Sequence, residues 1–88
     1  MKPVDVLPGA RLDFDQSFDW YAARSVQAAE RFAMAVDASL ADIAAHPDLH
    51  AEVDDLHRQC AVARFPFRIV YRIDTRHCPK VVGYRIQT

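Results

Sequence analysis

Eighty-eight residues, 51% hydrophobic and 26% charged, allow one core with little margin, because a chain of this size buries only about two-thirds of its unfolded surface. One domain spanning residues 1–88 is the expectation. No apolar run approaches the roughly 20 residues of a membrane span, and the opening MKPVDVLPGARLDFD has no apolar signal core, so a cytoplasmic chain without membrane contact is expected.

The formal net charge of −1 conceals a polarised molecule. From Arg58 to Thr88 seven bases face one acid, a balance of +6, whereas residues 1–57 carry four bases and eleven acids, a balance of −7. A basic segment on an acidic body suits an anionic partner, either nucleic acid or an acidic protein segment. The two cysteines, Cys60 and Cys78, read as reduced thiols in that compartment, with Cys60 a small core residue.

In chain order, Val4 and Val6 alternate with Asp5 between Pro3 and Pro8, which predicts a short edge strand because neither proline can donate to a ladder. From Pro8 a helix of about twelve to fifteen residues is expected, since proline suits the first helical turn and Leu12, Phe14, Phe18 and Tyr21 recur at helical spacings. Ser25 is placed to cap a second helix. Val26, Ala29, Phe32, Ala33, Val36, Leu40, Ile43 and Ala44 recur at three and four over some twenty residues, until His46-Pro47 ends the run. Two helices with a tight break between them predict an αα-hairpin.

Residues 47–57 read as a polar loop pinned by Leu49, Val53 and Leu56. The stretch RQCAVARFPFRIVYRI, Arg58 to Ile73, reads as a β-hairpin turning at Phe65-Pro66-Phe67. On its second arm Ile69, Tyr71 and Ile73 face a core while Arg68 and Arg72 stand opposite. The hairpin thus carries four arginines, Arg58, Arg64, Arg68 and Arg72. After a loop from Asp74 to Lys80, a last strand, Val81 to Ile86, places Val82, Tyr84 and Ile86 on one side and Arg85 on the other. Phe32, Val36, Leu40 and Ile43 should pack on Ile69, Tyr71 and Ile73.

His46, His50 and His57, even taken with Asp54 and Asp55, match no structural zinc spacing, so no metal site and no cofactor are expected. The order β-α-α-β-β-β predicts an α+β fold, with an N-terminal short strand and an αα-hairpin packed on a small antiparallel sheet.

Several stretches then resemble a known family. Asp13-Phe14, Asp19-Trp20-Tyr21, Ala29-Glu30-Arg31-Phe32, His46-Pro47 and above all Arg64-Phe65-Pro66-Phe67-Arg68-Ile69-Val70-Tyr71-Arg72-Ile73 resemble, in their order and spacing, the RelE/ParE superfamily of toxins from type II toxin–antitoxin modules. The resemblance covers about residues 4 to 73 and looks ParE-like in its long helical hairpin and Phe-Pro-Phe turn. It implies a toxin neutralised by a cognate antitoxin, in a hetero-oligomer with it, and acting on DNA gyrase. The alternative it implies is a RelE-like endoribonuclease that cleaves messenger RNA on the ribosome. The candidate partner-binding residues are Arg58, Arg64, Arg68, Arg72 and Arg85. For the nuclease, Arg58, Arg64 and Arg72 are the candidate cations and Tyr84 and Arg85 the last-strand candidates. His57 or His77 would then be the group titrating near neutrality. Family members usually end in a His/Arg-rich segment, whereas here Thr75-Arg76-His77-Cys78-Pro79-Lys80 leads into Val81-Val82-Gly83-Tyr84-Arg85-Ile86. This departure leaves a third reading, an inactive antitoxin-binding member.

Overall fold

Proline at the first helical position and serine at the second helix's N-cap set the two helices that frame the molecule. The computed structural model describes residues 4–73 and 78–86. The elements are β1 (Asp5–Val6), α1 (Pro8–Arg24), α2 (Val26–Ala45), β2 (Ala51–Glu52), β3 (His57–Ala61), β4 (Phe67–Ile73) and β5 (Pro79–Ile86). Ser25 Oγ accepts from the Ala28 N–H at 3.2 Å, and His46 N–H donates to the Asp42 carbonyl at 2.8 Å as Pro47 stops the helix. The expected loop at 47–57 contains the two-residue strand β2, whose Glu52 pairs with Arg58 of β3. Pro3 and the segment 74–77, with His77, lie outside the described residues.

The strands form one sheet in the order β1-β5-β4-β3-β2. It is mixed and not purely antiparallel: β2 to β5 run antiparallel, but β1 pairs parallel with β5 through Asp5↔Lys80 and Val6↔Val81. The reason is topological, since a chain returning after two helices and a hairpin reaches β1 along its own direction.

Both helices contribute to a core on one sheet face. Ala10, Phe32, Val36 and Ile43 pack with Cys60, Val62, Phe67, Ile69, Tyr71 and Val81. Phe32 lies 5.1–5.5 Å, centroid to centroid, from Phe14, Tyr21, Phe65 and Phe67. Leu40 and Ile73, both expected in this core, are only partly buried at its edge. Two more stripe residues depart further: Leu12 and Val26 are exposed. Leu12 stands two residues from both Ala10 and Phe14, nearly half a turn off the stripe that those two share with Phe18 and Tyr21. Val26 sits in the first turn of α2.

The last strand also departs from simple alternation. Val70 pairs with Gly83 and Tyr71 with Val81, so Val82 is an extra residue opposite one peptide of β4. This bulge reverses the side-chain sense beyond it. Val81 and Tyr84 therefore both serve the core, which corrects the grouping of Val82 with Tyr84. Among the described residues no helix is long and apolar enough to cross a membrane.

Candidate functional site

The same alternation that buries Phe67, Ile69 and Tyr71 turns Arg68 and Arg72 to the sheet face opposite the core. Register then decides what joins them. Arg68 lies directly opposite Arg85 on β5, and Arg72 directly opposite Lys80. On its other side Arg72 faces His57 of β3, so His57, Arg72 and Lys80 form one row across three strands. Like charges directly opposite one another on a sheet repel, yet this face carries two such pairs. Among the described residues, Arg64, Arg68, Arg72 and Arg85 have no ion-pair partner.

The hairpin arginines do not all belong to this face. Arg58 pairs with Tyr71 and so shares the core side of the sheet, where its guanidinium donates to the His50 carbonyl at 2.7 Å and to Glu52 Oε1 at 3.2 Å. Its side chain is engaged in holding the segment before β3. Arg64 lies in the connection between β3 and β4, exposed, with φ 69°. The connection is closed by Val62 N–H to the Phe67 carbonyl at 3.0 Å and Phe65 N–H to the Val62 carbonyl at 3.2 Å.

Tyr84 lies on the helix side. Its ring is 6.2 Å from Phe14, its N–H donates to Asp13 Oδ2 at 3.2 Å, and burial, aided by Asp37 and Asp13, pushes its hydroxyl up to about 12. A phenol so placed neither reaches the cationic row nor gives up its proton near neutrality. His57 is the titratable group that does adjoin the row. Asp54 orients it, with Oδ1 3.0 Å from Nδ1, while the same oxygen accepts from the Leu56 and His57 N–H groups at 2.8 Å each. These bonds hold the Asp54 carboxyl below the usual carboxylate range, the Leu56 bond first.

Two further features escaped the sequence reading. A groove of about 290 Å³ is lined by Gln16, Ser17, Trp20, Tyr21, Pro66, Phe67 and Ile86; Trp20 and Ile86 are exposed, and the Arg24 guanidinium sits 3.7 Å above the Trp20 ring. Away from this groove's lining, Asp42, His50 and Cys60, from α2, the following loop and β3, bring a carboxylate oxygen, an imidazole nitrogen and a sulfur within 4.8 Å of one another. Spacing could not signal this set, because its members come from three elements.

The architecture has known counterparts. A chain of a structure described as a chromosomal ParDE toxin–antitoxin system from P. aeruginosa superposes with a TM-score of 0.70 at 15% identity, covering 100% of this chain and 98% of that one; at that identity the likeness is one of fold. Comparison with curated proteins finds no match. The family model for the ParE toxin of type II toxin–antitoxin systems, parDE, matches residues 4–86, a span that includes both helices, the bulged last strand and the cationic face. On that match the chain belongs to the ParE toxin family.

Proposed function

We propose that this chain is a ParE-like toxin that arrests DNA gyrase, is neutralised by a cognate antitoxin, and acts as a single domain through the sheet face bearing Arg68, Arg72, Lys80 and Arg85. The observation that carries the reading is the pairing of like charges in register, Arg68 with Arg85 and Arg72 with Lys80. Opposed cations cost the sheet stability, and an anionic surface docked over them offsets that cost. The apolar groove beside Trp20 and Ile86 is the fitting seat for the antitoxin, since an amphipathic segment can lay its apolar side there while its carboxylates reach toward Arg85. The gyrase target rests on the ParE-like resemblance, since ParE-like members inhibit gyrase.

One observation favours the second reading, ribosome-dependent RNA cleavage. His57, oriented by Asp54 and in register with Arg72, sets a proton acceptor beside a phosphate-stabilising cation, the two groups that 2′-OH attack needs. Two assays of the purified chain separate the readings. Inhibition of gyrase supercoiling with intact translated messenger RNA supports the first; cleavage that His57→Ala abolishes supports the second and overturns the first. Neither effect, with an antitoxin still bound, points to the inactive member.

A further inference from the structure

Asp42, His50 and Cys60 differ from the cationic face in chemistry and position. Cys60 is buried at 7% exposure, and His50 Nε2 is shut off from solvent without a hydrogen-bond partner. It lies 3.1 Å from Asp42 Oδ2, close enough for attraction but out of line for a hydrogen bond. A buried imidazole nitrogen with nothing to bond, facing a carboxylate and a thiol, is an arrangement that a cation resolves. We propose that Asp42, His50 and Cys60 form a binding site for a thiophilic divalent cation of the zinc type, with three protein ligands and the fourth position open to water.

The donor set and its dimensions fit. Zinc takes thiolate, imidazole and carboxylate together, and bond lengths of about 2.0 Å to nitrogen and oxygen and about 2.3 Å to sulfur place tetrahedral donors about 3.2–3.8 Å apart. The His50–Asp42 separation of 3.1 Å is within about 0.2 Å of such an edge. The other two fall within 4.8 Å, so a contraction of at most about 1.3 Å, within reach of a side-chain rotation, completes the set. Charge also balances, since one carboxylate and one thiolate neutralise a divalent cation held against the buried Cys60.

The ligands are held in place by their surroundings. The Arg58 guanidinium fixes the His50 carbonyl at 2.7 Å, and the Tyr71 ring meets the imidazole edge-on at 6.1 Å. The first fixes the His50 backbone and the second limits the rotation of its ring. The Asp42 side chain is half exposed and gives the entry path. On binding, the Cys60 S–H bond breaks, its proton leaves to solvent and a sulfur–metal bond forms from the thiolate pair. Without the cation the thiol keeps that proton, because burial and then the Asp42 charge raise it. The bound ion would tie the segment after α2 to both α2 and β3, and binding only the folded state raises stability.

The test uses the reduced full chain with cobalt(II) or zinc(II) alone. One equivalent of cobalt should bind with an intense thiolate-to-metal charge-transfer band, retained in Cys78→Ser and absent in Cys60→Ser. Asp42→Asn and His50→Gln should each weaken binding at least tenfold, and saturating zinc should raise Tm by about 5 °C or more. Because Cys60 sits in the core, the exposed Asp42 variant and the protection of Cys60 from alkylation by zinc in the unaltered chain test the site independently of folding. No charge-transfer band, affinity unchanged in Asp42→Asn, or Cys60 alkylated equally with and without zinc would each overturn the proposal.

Discussion

The Tyr71 hydroxyl donates a 2.6 Å hydrogen bond to the Pro47 carbonyl, joining the middle of β4 to the residue just past the end of α2. Tyr71 is fully buried, so its ring supplies core area while its one polar atom finds the partner that burial demands. The bond fastens the start of the segment that carries His50, and Arg58 fastens the same segment from the neighbouring strand.

Alkaline stability should report on the buried phenols. Burial first of all pushes both Tyr71 and Tyr84 up to about 12 from 10.0. The unfolded chain therefore ionises first, so between pH 10 and about 12 it holds fewer protons than the folded chain and stability falls as pH rises, being fully present below pH 10. Thermal melts across this range should show Tm declining, and the double variant Tyr71→Phe, Tyr84→Phe should decline less steeply. Equal slopes in the two proteins would contradict the assignment.

Phe32 should be the most sensitive core position. It has no exposed surface and meets four aromatic rings from α1, the β3–β4 connection and β4, so Phe32→Ala should cost about 3–5 kcal/mol. That is a large share of a typical domain's roughly 5–15 kcal/mol. Urea denaturation measures it, and a loss below about 1 kcal/mol would mean that the cluster is not packed as described.

Arg68→Glu should separate stability from toxicity. An acid at position 68 faces Arg85 directly, replacing repulsion with attraction worth up to about 1 kcal/mol. The variant should melt no lower than the parent and yet lose growth arrest. Retained arrest would remove this face from the toxic surface.

Arg64 occupies the left-handed region at φ 69°, which costs an L-residue about 1–2 kcal/mol. Arg64→Gly should relieve this, less glycine's own entropic loss, for a net gain of about 0.5–1 kcal/mol. Arg64→Val should instead destabilise, since a branched side chain tolerates that φ worse than arginine. Chemical denaturation of the pair gives the sign.

Local sequence determined the elements. Pro8, Ser25 and His46-Pro47 mark the helix ends at which the structure places them, because caps and prolines act through the backbone of their immediate neighbours. The stripe Ala29, Phe32, Val36 and Ile43 and the alternation of Ile69 and Tyr71 with Arg68 and Arg72 likewise placed the core, since periods of 3.6 and 2 assign faces without knowledge of the partner. The charge split marked out the basic segment from which the cationic face is built. What tertiary structure alone decided was company. The bulge at Val82 and the strand register set Arg85 against Arg68 and Lys80 against Arg72, and pairing with Tyr71 moved Arg58 to the core side; a one-residue change of register would exchange these faces while leaving the sequence pattern the same. Asp42, His50 and Cys60 meet only because the segment after α2 turns back beside β3, a convergence of a helix, a loop and a strand that no single period encodes.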